Sequence, residues 1–342
     1  MRGLRPHESL THFRVSANPV AISFLVLGIA FVAPARAPAQ TVSQAFTNLF
    51  SGARLYVDPA SSARRQAEQW RRSRPQDAAL MDKIASQPIV QWVGGWNVDI
   101  GNDIATAVSR ITGGGALPVF VAYNIPGRDC GQYSAGGANG SNAYKRWIRD
   151  FANGLGGKRA VVILEPDALA GMDCLSGSLQ EERISLIHDA VRVLKQKRAA
   201  VYIDAGHARW VNPGEMANRL NRAGIADADG FSLNISNFLG NSVNIAYGTE
   251  VSKRVGGKHF IIDTSRNGLN ADRAGNWCNP TGQRVGTRPT THTGNALVDA
   301  FLWIKTPGES DGTCGGGPPA GKWWAEYALG LAGGAWDRIL NR

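Results

Sequence analysis

Four aspartates, Asp129, Asp167, Asp204 and Asp311, stand at or just beyond the ends of short, very apolar runs. The runs are PVFVAYN (118–124), AVVILEPD (160–167), AAVYIDAG (199–206) and DAFLWIK (299–305). Carboxyl groups do general acid and general base work, and a pair of them flanking a glycosidic bond is what its hydrolysis requires. Delivery from the ends of several different strands is how an α/β barrel assembles such a site. The chain also holds ten tryptophans, whose faces suit the C–H-rich sides of sugar rings.

Each candidate has a plainer reading beside the chemical one. Asp167 follows an apolar run and precedes Ala168-Leu169-Ala170, so it serves equally as a general acid of raised pKa or as a helix N-cap. Asp129 adjoins Arg128, which makes it an ion-pair partner or a carboxylate that tunes the acid and positions water. His207, in DAGHARW, reads first as a hydrogen-bonded structural histidine and second as a base or ligand. Lys305-Thr306-Pro307-Gly308-Glu309-Ser310-Asp311-Gly312 puts one cation and two carboxylates on one loop, and there the chemical reading leads. Trp92, Trp96, Trp210 and Trp277 fall where rim loops are expected, whereas Trp147 and Trp303 belong to the core.

The elements that must position these residues are legible as alternation. Strands are expected at Ile89–Val93, Val119–Tyr123, Ala160–Leu164, Ala200–Ile203, Gly230–Leu233, Phe260–Asp263 and Ala300–Ile304. Their near-continuous hydrophobicity fits parallel strands buried on both faces. Tyr144, Trp147, Ile148, Phe151 and Leu155 follow helical spacing, as do Ile184, Ile187, Val191 and Leu194. Ser178 and Glu181 form an expected capping box, and Lys322–Leu340 reads as a closing helix. Seven strands with crossovers give a parallel α/β architecture, and periodicity alone leaves a barrel and an open sheet both possible. Neither a Gly-x-Gly-x-x-Gly after the first strand nor a Gly-Lys-Ser/Thr loop occurs, which weakens nucleotide binding.

Arg2, Arg5 and Arg14, the apolar stretch Val20–Val32 and the small residues to Ala39 read as a secretory leader cleaved near Ala39/Gln40. Residues 1–39 are thus expected to be removed, leaving 40–342 as a single domain. Losing Arg2, Arg5, Arg14 and Arg36 against Glu8 lowers the formal charge from +10 to +7. The densest basic patch, Arg64, Arg65, Arg71, Arg72 and Arg74, reads as a solvated helix face and not as a nucleic-acid site. Four cysteines in an exported chain suggest two disulfides, with three pairings open. Cys130–Cys174 with Cys278–Cys314 is preferred because each bridge would close a loop region beside an aspartate.

Taken together, seven stretches resemble the glycoside hydrolase family 6 cellulases. They are YNIPGRDCGQYSAGG (123–137), VILEPDALA (162–170), YIDAGHARW (202–210), LNISNF (233–238), DTSRNG (263–268), WCNPTGQRVG (277–286) and LWIKTPGESDG (302–312). The resemblance implies a distorted parallel β/α barrel of about seven strands that cleaves β-1,4-glucosidic bonds with inversion. It implies that Asp167 is the general acid, Asp129 the aspartate that raises its pKa, and Asp311 the proposed base. Tyr123, Ser134, Trp92, Asp204, His207, Trp210, Asn237, Trp277, Lys305 and Glu309 are implied substrate contacts. The cysteines match the family's two local disulfides. The partner implied is a β-1,4-glucan or cello-oligosaccharide, with no cofactor, metal, nucleic acid or membrane, and the mature chain is expected as a secreted monomer. Short cysteine-bounded segments favour an open cleft and internal cleavage, with chain-end attack by a cellobiohydrolase as the alternative. A glucan-binding protein without activity and a metal-dependent hydrolase are rival classes.

Overall fold

In the seven strands, backbone amides and carbonyls run straight into one another in chain order. A computed structural model describes residues 14–17, 48–270 and 277–335. The strands are β1 (Gln91–Gly94), β2 (Val119–Tyr123), β3 (Val161–Leu164), β4 (Ala200–Asp204), β5 (Gly230–Leu233), β6 (His259–Asp263) and β7 (Val298–Leu302). They pair in the order β1 to β7, every neighbour parallel. Helices α1 (Ser62–Trp70) and α2 (Pro75–Ala85) precede β1. The crossovers carry α3 (Ile100–Gly113), α4 (Ser141–Gly154), α5 (Gly177–Gln196), α6 (Pro213–Arg222) and α7 (Asn241–Arg254), and α8 (Ala325–Leu331) follows β7.

The sheet curls until its edges touch. A parallel bridge joins Ile89 to Trp303, and the Val90 amide donates to the Trp303 carbonyl at 3.0 Å. Alternate strand residues then face two cores, as period-2 geometry requires. Val119, Val121, Val161, Ile163, Tyr202, Ile261 and Leu302 pack together with no helical residue among them, which makes theirs the barrel interior. Phe120, Val162, Val201, Phe231, Phe260 and Ile262 pack instead against the helices. Burying each such side chain contributes about 1.5–3 kcal/mol.

Several expected boundaries shift for identifiable reasons. β7 ends at Leu302, and soon after it the amides of Ile304 and Lys305 donate to the Asp263 carboxylate at 3.1 and 3.0 Å instead of to a neighbouring strand. The stripe Ile184, Ile187, Val191 and Leu194 is buried on α5 as read, but the capping box does not form. Ser176 is the N-cap there, without a side-chain bond, and Glu181 pairs with Arg222. The closing helix is α8 alone, since Ser310 N takes the Lys322 carbonyl at 2.9 Å and Glu309 bridges Trp323. Residues 336–342, the end of the expected helix, lie outside the described residues.

The basic patch sits on and after α1. Arg64 and Arg71 reach Asp82 at 3.0 and 3.1 Å, and Arg74 reaches Asp77 and Glu326 at 2.6 and 2.8 Å. The barrel belongs to a compact unit running from Thr47. Of the expected leader only residues 14–17 are described, and they are exposed coil.

Candidate active site

The residues just past the strands' C-terminal ends adopt backbone angles that few side chains accept. Glu165 and Asp167 follow β3 at φ +50° and +68°, and Asp129 follows β2 at φ +56°. No helix begins at Asp167, so the N-cap reading fails. Left-handed backbone at non-glycine residues persists only where surrounding contacts enforce it. Those contacts are visible: Asp204, at the end of β4, accepts from the Asp167 amide at 2.8 Å, from Gly206 N at 3.0 Å and from Ser232 Oγ at 3.1 Å.

The carboxyl of Asp167 is pushed well above the ordinary carboxylate range, by burial first and then by Asp204 and Asp129. Asp204 is also raised, again by burial, although its hydrogen-bond donors favour its anion. The donors on Asp204 place the shared negative charge there and the proton on Asp167.

Asp129 sits on a loop held by Arg128. The guanidinium does not bond to its neighbouring carboxylate; it donates to the carbonyls of Ser134 at 2.8 Å, Tyr123 at 2.8 Å and Ala135 at 3.2 Å, and lies 4.4 Å from the Tyr123 ring. Asp129 itself accepts from Ser134 N at 2.6 Å and is raised by burial, with Ser134 and Arg128 opposing. The loop closes on Gly137, at φ +96°, where a Cβ would collide with the Ile125 carbonyl oxygen. A disulfide, Cys130–Cys174, ties this loop to the one after β3, with Cα atoms 6.2 Å apart.

Asp311 has the opposite setting. Burial alone would raise its carboxyl, but Arg266 at 2.8 Å and Lys305 at 3.7 Å outweigh that and hold it below the ordinary range. Asn279 braces it twice, donating its amide to Asp311 Oδ2 at 3.1 Å and accepting the Asp311 amide at 2.8 Å. The second disulfide, Cys278–Cys314, closes that region. Arg266, fully buried in DTSRNG, is the partner that sequence reading missed. An arginine three residues past an apolar strand was the available signal.

Two adjoining cavities, of about 560 and 930 Å³, share Trp92, Tyr123, Arg128, Ser134 and Lys305. The smaller is lined by Asp129, Asp167, Asp311, His207, Trp210, Asn237 and Trp277, and the larger by Trp96 and Glu309. Burial raises the Glu309 carboxyl against the pull of Lys305. Trp92 meets Tyr123 edge-on at 5.2 Å, and Trp210 and Trp277 are each 44% exposed. His207 is neutral in the cleft: burial lowers it to about 4, its Nδ1 accepts from Arg209 N at 3.2 Å, and its ring lies 5.5 Å from Trp210. Asp204 is the exception among the expected substrate contacts. It is 1% exposed and lies beneath the cleft, under Asp167, and not on the wall. Among the described residues no three His, Cys, Asp or Glu side chains converge as a metal site.

The sequence profile of glycosyl hydrolases family 6 matches residues 50–335, the whole of this barrel. The chain belongs to glycosyl hydrolase family 6. Endoglucanase A of Cellulomonas fimi is 45% identical over 281 residues, covering 81% of this chain and 60% of that protein. Endoglucanase 1 of Streptomyces halstedii is 41% identical, covering 90% of this chain and 95% of that one. The solved endoglucanase Cel6 of Mycobacterium tuberculosis, in complex with a thio-linked cello-oligosaccharide, is 43% identical with a TM-score of 0.80, covering 86% of this chain and 100% of that one. Family 6 membership makes the chain a glycoside hydrolase of a cellulase family, and the curled sheet of seven parallel strands is the barrel that the sequence led us to expect.

Proposed function

We propose that the chain is a secreted, monomeric endo-β-1,4-glucanase that cuts internal bonds of cellulose or related β-glucans with inversion at the anomeric carbon. The observation that carries this reading is the opposite electrostatic setting of two carboxyls on one cavity wall. Asp167 is held toward its protonated form and Asp311 toward its ionised form. Environments that push two carboxyls apart in this way assign acid and base.

Asp167 then gives its proton to the glycosidic oxygen as the C1–O bond to the leaving sugar breaks. A water on the opposite face forms the new C1–O bond and loses its proton toward Asp311, directly or through further waters. The leaving sugar departs as an alcohol, and Asp167 recovers a proton from solvent. Asp129 supports the acid by keeping a negative charge near it. Trp92, Trp210 and Trp277 offer stacking faces, Lys305 and Glu309 bind sugar hydroxyls, and Ser134 covers the reacting ring beside Tyr123. Neither metal nor organic cofactor takes part.

Internal cleavage is favoured by the exposure of Trp210 and Trp277, and by the few residues between Asp311 and Cys314, too few to roof the cleft. The endoglucanase names of the bacterial relatives support it. Chain-end attack is the second reading, because a probable cellobiohydrolase C of Aspergillus terreus is also 30% identical over 82% of this chain. Residues 1–39 act as the export leader in this account.

Viscosity loss against reducing ends released from carboxymethyl cellulose by the mature protein separates the two readings. A steep fall in viscosity at few new ends is expected. Reducing sugar with little loss of viscosity would make the enzyme a chain-end cutter, and no release at all would leave a glucan-binding protein.

A further inference from the structure

The segment Asn124–Gly127, which leads from β2 to Asp129, has its backbone groups taken by two buried ionisable side chains. The Glu165 carboxylate accepts the Asn124 amide at 3.0 and 2.9 Å and the Ile125 amide at 2.9 Å. Arg183 of α5 donates through Nη2 to the Pro126 and Gly127 carbonyls at 2.9 and 2.8 Å. Its Nη1 reaches the Ala168 carbonyl at 3.4 Å, one residue past Asp167. Glu165 itself stands two residues before Asp167. Both side chains are nearly sealed, 1% and 3% exposed.

We propose that Glu165 and Arg183 form a clamp that sets the position of Asp129 relative to Asp167, which makes both of them positioning residues for bond cleavage. The proposal rests on the reading of Asp167 as the acid and Asp129 as the charge that supports it.

The division of labour has a simple logic. A carboxylate can take only amides and a guanidinium only carbonyls, so four consecutive residues are gripped through their backbone from two sides. Each charge also connects that segment to the loop of Asp167, Glu165 through the chain and Arg183 through Ala168. Two buried ionisable groups are costly to keep, and a clamp used only for stability is replaceable by apolar packing. A carboxylate held near an acid raises that acid's pKa by an amount that falls with distance. Loosening the clamp therefore lowers the acid's pKa and misaligns it, and a displacement of about 1 Å can cost on the order of 100-fold in rate.

The test is the pH dependence of kcat and KM on cellohexaose for the wild type and for Arg183→Met, Arg183→Lys and Asp167→Asn. Arg183→Met is expected to lose at least about tenfold in kcat with KM within about twofold, and its basic limb should move to lower pH by about half a unit. Arg183→Lys, which keeps the charge but grips one loop, should fall between. A folded Arg183→Met with an unmoved basic limb would overturn the clamp, as would loss of folded protein in both Arg183 variants. Normal turnover by Asp167→Asn would instead overturn the acid assignment and the clamp with it. An inactive Asp167→Asn beside an unmoved Arg183→Met limb would overturn the clamp alone.

Discussion

Arg266 Nη1 lies 2.8 Å from Asp311 Oδ2, with the arginine side chain wholly buried and the aspartate nearly so. This pair sets the charge of the proposed base. Without Arg266, only Lys305 at 3.7 Å and the Asn279 amide at 3.1 Å oppose the burial that raises the carboxyl. Replacing Arg266 by Met should therefore raise the Asp311 pKa. The acid limb of the kcat profile should move up by about one unit, so that activity is lost more at pH 5 than at pH 7. Stability should fall as well, by about 3–5 kcal/mol, because an uncompensated carboxylate is left buried. An acid limb that stays in place in the folded variant would dissociate Asp311 from the base role.

The two disulfides lie at the cleft and close segments of 44 and 36 residues. By chain entropy each contributes about 4 kcal/mol. Dithiothreitol should lower the thermal midpoint by on the order of 10 °C. Four titratable thiols in unreduced, unfolded protein would contradict this.

Stability should fall as pH rises toward neutrality, opposite to the trend of a protein held by surface salt bridges. Burial lifts Glu165 to about 7 from an ordinary 4.5, and it also raises Asp129, Asp204, Asp263, Asp299 and Glu309. The folded chain binds these protons more tightly than the unfolded chain. Their contribution is fully present below the unfolded pKa values and is lost as pH rises through the folded ones. For Glu165 alone that is about 3 kcal/mol. Asp311, Glu215 and Glu250 are lowered and act in reverse, but their contribution is lost only toward acid, for Glu250 through about 2. The midpoint should thus decrease from pH 5 to pH 7.5, with a shallower slope in Glu165→Gln. A flat or rising midpoint over that range would refute the assignment.

The barrel was legible because parallel strands buried on both faces leave unbroken apolar runs, and six of the seven carry a candidate site residue at or near their ends. What the sequence concealed were partners that meet only in three dimensions. Arg266 and Asp311 are 45 positions apart, and Glu165 and Asp263 act on backbone amides, which carry no sequence signature. The failed capping box shows the converse. Ser178 and Glu181 have the right spacing, yet the N-cap falls two residues earlier, at Ser176, and Glu181 is drawn to Arg222. Asp204 was expected as a substrate contact, but its place beneath Asp167 depends on a bond to a main-chain amide 37 positions away.

The central claim is that Asp167 donates the proton, and Asp167→Asn tests it most directly. The amide keeps the shape of the side chain and has no acidic proton to give. The account predicts a loss of about 10³-fold in kcat on a soluble β-1,4-glucan, with cellotetraose affinity by calorimetry within about threefold of wild type. Turnover within tenfold of wild type, in a variant that binds normally, would contradict it.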